Sequence, residues 1–210
     1  MHITLIGTVH IENGFANVRA LSSVLEHLQP EVIYAEIPAA KLQCYVDGSH
    51  GNLESTAVSQ YLKTHSTIVL PVDVEAPIDD FFFESEEMFK KIERTSFVYR
   101  NLLDQHHSDT RNDGFVYLNS TRCLNTWTEI YKEIFSIVQW IGHPKLLENY
   151  ERWKEINDLR EMAMLKNIEE HSVETELNRA VLLVGVAHKQ ELLTKIKNIK
   201  TLSYQRFFET

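Results

Sequence analysis

Two stretches at opposite ends of the chain carry the same phrase, and any fold has to accommodate both. The first is Ile3-Thr4-Leu5-Ile6-Gly7-Thr8-Val9-His10, and the second is Val181-Leu182-Leu183-Val184-Gly185-Val186-Ala187-His188. Each is a short apolar run, then Gly-x-x-His, then a stretch patterned as a helix. A continuous apolar run bounded by glycine fits a strand buried on both faces. The histidine then falls just past the strand's carboxyl end, where open α/β sheets place their ligands. On neighbouring strands, two such histidines would face one site.

The intervening sequence supplies the rest of a sheet. Asn13-Gly14 is read as a helix start with Asn13 as N-cap, and Val18, Leu21, Leu25 and Leu28 then recur at helical spacing until Pro30. Val32 to Ile37 is expected to be a second strand, parallel to the first and close to it as in a βαβ unit. Pro38 to Asn52 patterns as a loop, Leu53 to Thr64 as a helix, and Thr67 to Val72 as a third strand. Glu36 and Asp73 (or Glu75) therefore also fall at strand carboxyl ends. The final strand, Ala180 to Val184, precedes a helix over Gln190 to Ile196, with Thr201 to Tyr204 as an edge strand.

From Pro77 to about Thr175 the pattern is helical, with Tyr117 to Asn125 read as a loop between helices. The expected fold class is α/β: a mostly parallel central sheet flanked by helices, one domain over residues 1–210, with a helical insertion or cap at 77–175. In its last helix, Asn149 to His171, one stripe at helical spacing holds Ile156, Arg160, Ala163, Met164, Asn167 and Ile168. Asp158, Glu161 and Glu169 lie off that stripe.

Composition excludes several classes. With 43% hydrophobic residues the 210-residue chain can build a proper core. A net charge of −9 argues against nucleic acid as a partner, because affinity for phosphates rests on basic patches. Lys189, Lys195, Lys197 and Lys200 read as a solvated helix face. Cys44 and Cys123 form neither a disulfide framework nor a zinc knuckle, and Cys44 has no evident base. No stretch approaches the ~20 apolar residues that span a bilayer, so no membrane partner and a cytoplasmic location are expected. There is no Gly-x-Ser-x-Gly elbow, dinucleotide fingerprint or Walker loop. His106-His107 reads as a solvated loop, and Asn119-Ser120-Thr121 as a chance glycosylation match. Nothing in the sequence sets an oligomeric state.

Alone, each strand-end residue has a bland explanation: a histidine bonded to a carbonyl, a glutamate capping a helix, an aspartate in a turn, an arginine whose stem only is buried. Together, His10, Glu36, Asp73 and His188 share one sheet edge. An arginine on an apolar stripe also needs a carboxylate or anion to offset its desolvation. Glu36 and Asp73 are the obvious partners of Arg160. Gly7 and Gly185 are expected to allow a sharp turn and a close approach. Glu12 and Arg19 lie near enough in sequence to line the same mouth, and are read as surface residues.

On Gly7-Thr8-Val9-His10, Glu36, Arg160-Glu161-x-Ala163-Met164 and Gly185-Val186-Ala187-His188, the chain resembles the TraB, Tiki and GumN superfamily. More distantly it resembles the erythromycin esterases and the ChaN haem-uptake proteins. Met162-Ala163 follows Arg160-Glu161 more tightly than in the esterases. The resemblance covers the two ends of the chain and says little about the helical middle. It implies a sheet with a helical cap, and two histidines, a glutamate and an arginine (His10, His188, Glu36 and Arg160) as the functional set. It further implies a hydrolase of peptide, ester or amide bonds, acting on a small-molecule or peptide substrate. The competing expectation is a non-catalytic relative holding haem, a small anion or a partner segment. Two mechanisms fit the residues. In one, His10, His188 and Glu36 or Asp73 hold a divalent metal, with Mn, Co, Zn and Fe all compatible, and Arg160 binds substrate or oxyanion. In the other, His10 or His188 is a general base oriented by Glu36, with no metal.

Overall fold

The computed structural model describes residues 2–75, 80–175, 177–197 and 203–205. In chain order the elements are β1 (His2–Thr8), α1 (Val18–Leu28), β2 (Val32–Ala35), α2 (Leu42–Val46), α3 (Leu53–Leu62) and β3 (Ile68–Pro71). Four long helices come next: α4 (Asp80–Thr95), α5 (Phe97–Leu118), α6 (Thr121–Ile141) and α7 (Pro144–Glu174). The chain then returns through β4 (Arg179–Gly185), α8 (Val186–Ile196) and β5 (Ser203–Gln205). The fold is α/β, with a central parallel sheet and helices on both faces.

Strand order is β3-β2-β4-β1-β5, and every neighbouring pair is parallel. β1 and β2 are thus parallel as expected, but not adjacent. β4 lies between them, pairing Thr8 with Gly185 on one side and Ala35 with Leu183 on the other. The crossover through α1 skips one place, and the strand from the far end of the sequence fills it. The two Gly-x-x-His phrases are consequently direct neighbours.

Alternation along the strands divides the core into two layers. Ile3, Leu5, Val32, Tyr34, Ala180, Leu182 and Val184 face one side, where α7 brings Met164, Leu165 and Ile168, and α8 brings Leu192, Leu193 and Ile196. Ile6, Ile33, Ala35, Val181 and Leu183 face the other, against α1, α3 and the α5–α6 corner. Burying both faces explains why these strands read as unbroken apolar runs.

The helical middle is not simply a cap. Met88, Ile92, Tyr99, Ile130, Ile134, Val138 and Tyr150 form a separate core among α4–α7, while α7 and the α5–α6 corner reach the sheet from opposite faces. Pro77, the expected start of this region, lies outside the described residues, as do Thr201, Leu202 and Lys200. The expected loop at Tyr117 to Asn125 reduces to Asn119-Ser120. Ser120 caps α6 by accepting from the Cys123 amide, and α5 bends at Gly114 (φ 54°) instead of ending. A side chain there would also collide with the Phe15 carbonyl group at 2.6 Å. The loop expected over Pro38 to Asn52 contains a 3-10 turn (Ala39–Lys41) and α2.

Candidate functional site

α7 docks by burying Met164, Leu165 and Ile168, which stabilises by roughly 5–9 kcal/mol at about 1.5–3 kcal/mol per side chain. That exceeds the several kcal/mol that withdrawing one arginine from water costs. Arg160, one turn earlier on the same stripe, is carried to the carboxyl edge of the sheet, where carboxylates meet it. Its Nε donates to both Asp73 oxygens (3.2 and 3.1 Å) and its Nη2 to Asp73 Oδ2 (2.6 Å) and Glu36 Oε1 (2.8 Å). Burial disfavours its charge, but Asp73 and Glu36 outweigh that and raise its pKa further. Asn167, two turns on, donates to the Val72 carbonyl (2.8 Å) and so fixes the turn that presents Asp73. The expected partnership of Arg160 with Glu36 and Asp73 is present. Glu75 is exposed and takes no part.

Glu36 is the hub. Its Oε2 accepts from the Gly185 amide at 2.5 Å, placing a carboxylate at the N-terminus of α8, where the helix dipole favours it. The Gly185 φ is −52°, so the glycine is required for close approach and not for a sharp turn. A Cβ on Gly185 would lie 3.2 Å from Glu36 Oε2 and 3.9 Å from His10 Nε2. Gly7 also lacks a positive φ, and Asn119 holds both of its backbone groups, accepting from the amide (2.8 Å) and donating to the carbonyl (3.2 Å). Asn119 is buried and spent on that clamp.

Each histidine is backed by a glutamate that the strand pattern does not reveal. His10 Nδ1 lies 3.0 Å from Glu54 Oε1, which also accepts from Thr8 Oγ1 (2.7 Å). Because a carboxylate only accepts, Nδ1 carries the proton and Nε2 keeps its lone pair. Glu54 sits buried in the first turn of α3, and the Leu53 amide donates to the His10 carbonyl at 2.9 Å. The hydrogen bond to Glu54 raises the His10 pKa above 6.5; partial desolvation of the ring by its neighbours opposes this, and the Glu54 and Glu36 charges add to it. On the opposite wall, His188 Nδ1 lies 2.8 Å from Glu161 Oε1, while Lys195 holds the other Glu161 oxygen. His188 Nε2 is 3.4 Å from both Arg160 Nη1 and Glu36 Oε1. When neutral it accepts from the arginine, and when protonated it donates to the glutamate.

Three of these residues run against expectation. Glu161, off the apolar stripe, is 3% exposed because α8 packs beside that face of α7. Lys195 and Lys189 are not on a solvated face: Lys195 bridges Glu161 and Asp158, and buried Lys189 donates to Asn119. Glu54 had a sequence signal in Asn52-x-x-Ser55, an N-cap signature that places it in a first helical turn. Elsewhere, Asn17 and not Asn13 caps α1, and Glu12 accepts from the Val18 amide. Arg19 is exposed. His106 is buried inside α5 against Tyr117, and burial lowers its pKa to about 4. Cys44 Sγ is 3.8 Å from His50 Nδ1, a long contact at the surface.

The four side chains expected to ligate a metal, His10, Glu36, Asp73 and His188, do share one edge. Both Asp73 oxygens, however, are engaged by Arg160, and Glu36 is divided between Arg160 and Gly185. A dication on either carboxylate would sit against the guanidinium. Among the described residues no three His, Cys, Asp or Glu side chains are gathered to hold a metal ion. This donor set does not fit a metal while Arg160 is docked.

A cleft of about 600 Å³ opens beside His188 and Glu161, between α6, α7 and α8. Among the described residues no helix is long and apolar enough to cross a membrane. Comparison of the chain with protein-family models, with curated proteins and with solved structures yields no match.

Proposed function

We propose that the protein is a hydrolase of ester, amide or peptide bonds in which histidine, without a metal, activates water. The observation that carries this is two glutamate-backed histidines flanking one arginine-bound carboxylate, with His188 Nε2 3.4 Å from Glu36 and His10 Nε2 beside it over Gly185. His10 is the general base. Its Nε2 lone pair is open, its Nδ1 proton is held by Glu54, and its side chain is 63% exposed, so water reaches it. Water gives a proton to His10 Nε2 as its oxygen bonds to the substrate carbonyl carbon. The charge on the carbonyl oxygen faces Arg160 Nη1, whose present contacts, Asn157 Oδ1 and His188 Nε2, are both long at 3.4 Å. Collapse breaks the bond to the leaving group, which takes the proton from the His10 imidazolium, and acid plus alcohol or amine depart. His188, locked by Glu161, orients Arg160 and Glu36.

The test is hydrolysis of p-nitrophenyl esters and fluorogenic peptides by the purified protein, with and without a chelator. The expected result is turnover indifferent to chelator and reduced about 10²–10⁴-fold in His10→Asn, the usual worth of a general base. Turnover that disappears with chelator, or that survives both His10→Asn and His188→Asn, would sink the mechanism.

A further inference from the structure

Beyond His188 and Glu161, the cleft has a wall chemistry that the proposed reaction does not use. One helical face of α7 supplies Tyr150, Lys154, Asn157, Asp158 and Glu161, at i, i+4, i+7, i+8 and i+11. At 1.5 Å per residue this face runs roughly 16 Å from Glu161 to Tyr150. Across it, Tyr131 of α6 donates to the Ala187 carbonyl (2.7 Å), tying the wall to the Gly-x-x-His turn. Tyr131, Trp153 and Tyr150 form a continuous aromatic series with ring centroids 5.8 and 6.1 Å apart.

The charges around these rings are unbalanced. Among the described residues five carboxylates line the cleft against two lysines. Lys195 is consumed by Asp158 and Glu161, and Lys154 lies 3.7 Å from Glu151. Glu155 and Glu191 are exposed at the mouth. The chain's own Lys154 ammonium sits 5.5 Å from the centroid of the Tyr150 ring, the kind of contact an ammonium ligand would make with the half-buried Tyr131 and Trp153. An aromatic cleft with surplus negative charge attracts organic cations and repels anions.

We propose that this cleft binds the ammonium-bearing end of the substrate, so that the hydrolase acts on amine-carrying esters or amides. This rests on the proposed function for the bond cleaved, but not for the cation site itself. A volume of about 600 Å³ suits an organic amine with an apolar body, since small-molecule sites span roughly 300–1,000 Å³.

The experiment is calorimetric titration of the full chain with phenethylammonium, phenethyl alcohol and phenylacetate, which share a body and differ in charge. The expected result is saturable binding of the cation at least tenfold tighter than the alcohol, none of the anion, and weakening with added salt. The double variant Glu155→Gln, Glu191→Gln should lose several-fold in cation affinity and keep its unfolding midpoint. Equal affinities for cation and alcohol, or no saturable cation binding into the millimolar range, would overturn the proposal. His10→Asn separates the two proposals. Cation binding without hydrolysis in any protein leaves the cleft standing and removes the reaction. Hydrolysis with no preference for amine-bearing substrates does the reverse.

Discussion

The two ends of the chain offer one motif in two settings. β1 ends at Thr8, so His10 lies in a loop, and α1 does not begin until Val18. After β4, helix α8 begins at Val186, so His188 lies within its first turn. His10 is therefore 63% exposed and His188 12%. The difference comes from the segment downstream of each motif and from the helix packed on it. The His10 loop is held from outside by α5, through the Phe15 amide to the Arg111 carbonyl (2.9 Å) and Asn13 to the His107 carbonyl (3.0 Å). The His188 turn is enclosed by α7. The same Gly-x-x-His spacing makes an accessible base on one wall and a fixed strut on the other.

The largest perturbation removes what both walls share. Arg160→Ala leaves Glu36 and Asp73 as facing, largely buried carboxylates, and should destabilise by about 3–5 kcal/mol in denaturant unfolding while abolishing turnover. Arg160→Lys keeps the charge but loses the fork, and should recover part of the stability and little of the activity. A fully stable, active Arg160→Ala would mean the walls do not depend on a common centre.

The two histidines should separate next. His188→Asn should cost about 1–3 kcal/mol, because Glu161 Oε1 loses its partner away from water while Lys195 holds only the other oxygen. His10→Asn also takes a partner from a buried carboxylate, but Glu54 Oε1 keeps the Thr8 hydroxyl, so the midpoint should fall less than in His188→Asn while turnover drops about 10²–10⁴-fold. Equal stability losses in the two variants would erase the contrast between them.

Glu54→Gln tests the exposed wall through pH. A base must be unprotonated, and Glu54 raises the His10 pKa, so turnover should fall as pH drops through a value above 6.5. In Glu54→Gln that limb should move to lower pH. The folding contribution of His10 has the sign of a raised pKa. It is present in full below the unfolded value near 6.5, and fades as pH rises through the folded value. Exposure of His10 keeps that contribution small. An unmoved acid limb would show that a group other than His10 governs the rate.

The smallest effect concerns the loop itself. Asn17 caps α1 by accepting from the Ala20 amide (2.9 Å), and Asn17→Ala should cost about 1 kcal/mol. If it also lowers turnover without changing the Glu161–His188 wall, the cap contributes to positioning His10.

Period and spacing made much of this legible. Apolar runs located β1, β2, β3 and β4, and their carboxyl ends located His10, Glu36, Asp73 and His188. The stripe on α7 gave Arg160 and its need for carboxylates. Strand order was not legible, because nothing local in β1 or β2 encodes a strand inserted from 150 residues on; the pairing of Val32 with Ala180 is purely tertiary. Glu161 and Lys195 were missed for a related reason. On a single-helix wheel both look solvated, and only the docking of α8 on α7 turns them toward His188. The motif showed where the histidines lie, whereas their backing carboxylates come from whichever helix packs behind them.

The placement of β4 between β1 and β2 has a consequence for biosynthesis. At roughly 5–20 residues per second, a ribosome finishes β1 on the order of 10–30 s before it finishes β4. Throughout that interval the centre of the sheet is missing, and the facing edges of β1 and β2 are open to wrong pairing. The helices α4–α7 are made in the same window, and their core of Met88 to Tyr150 uses residues close in sequence, which close quickly. The nascent chain should thus hold a folded helical platform before it holds a sheet. Stalling synthesis short of residue 179 should yield a protease-resistant helical fragment beside a cleavable N-terminal segment.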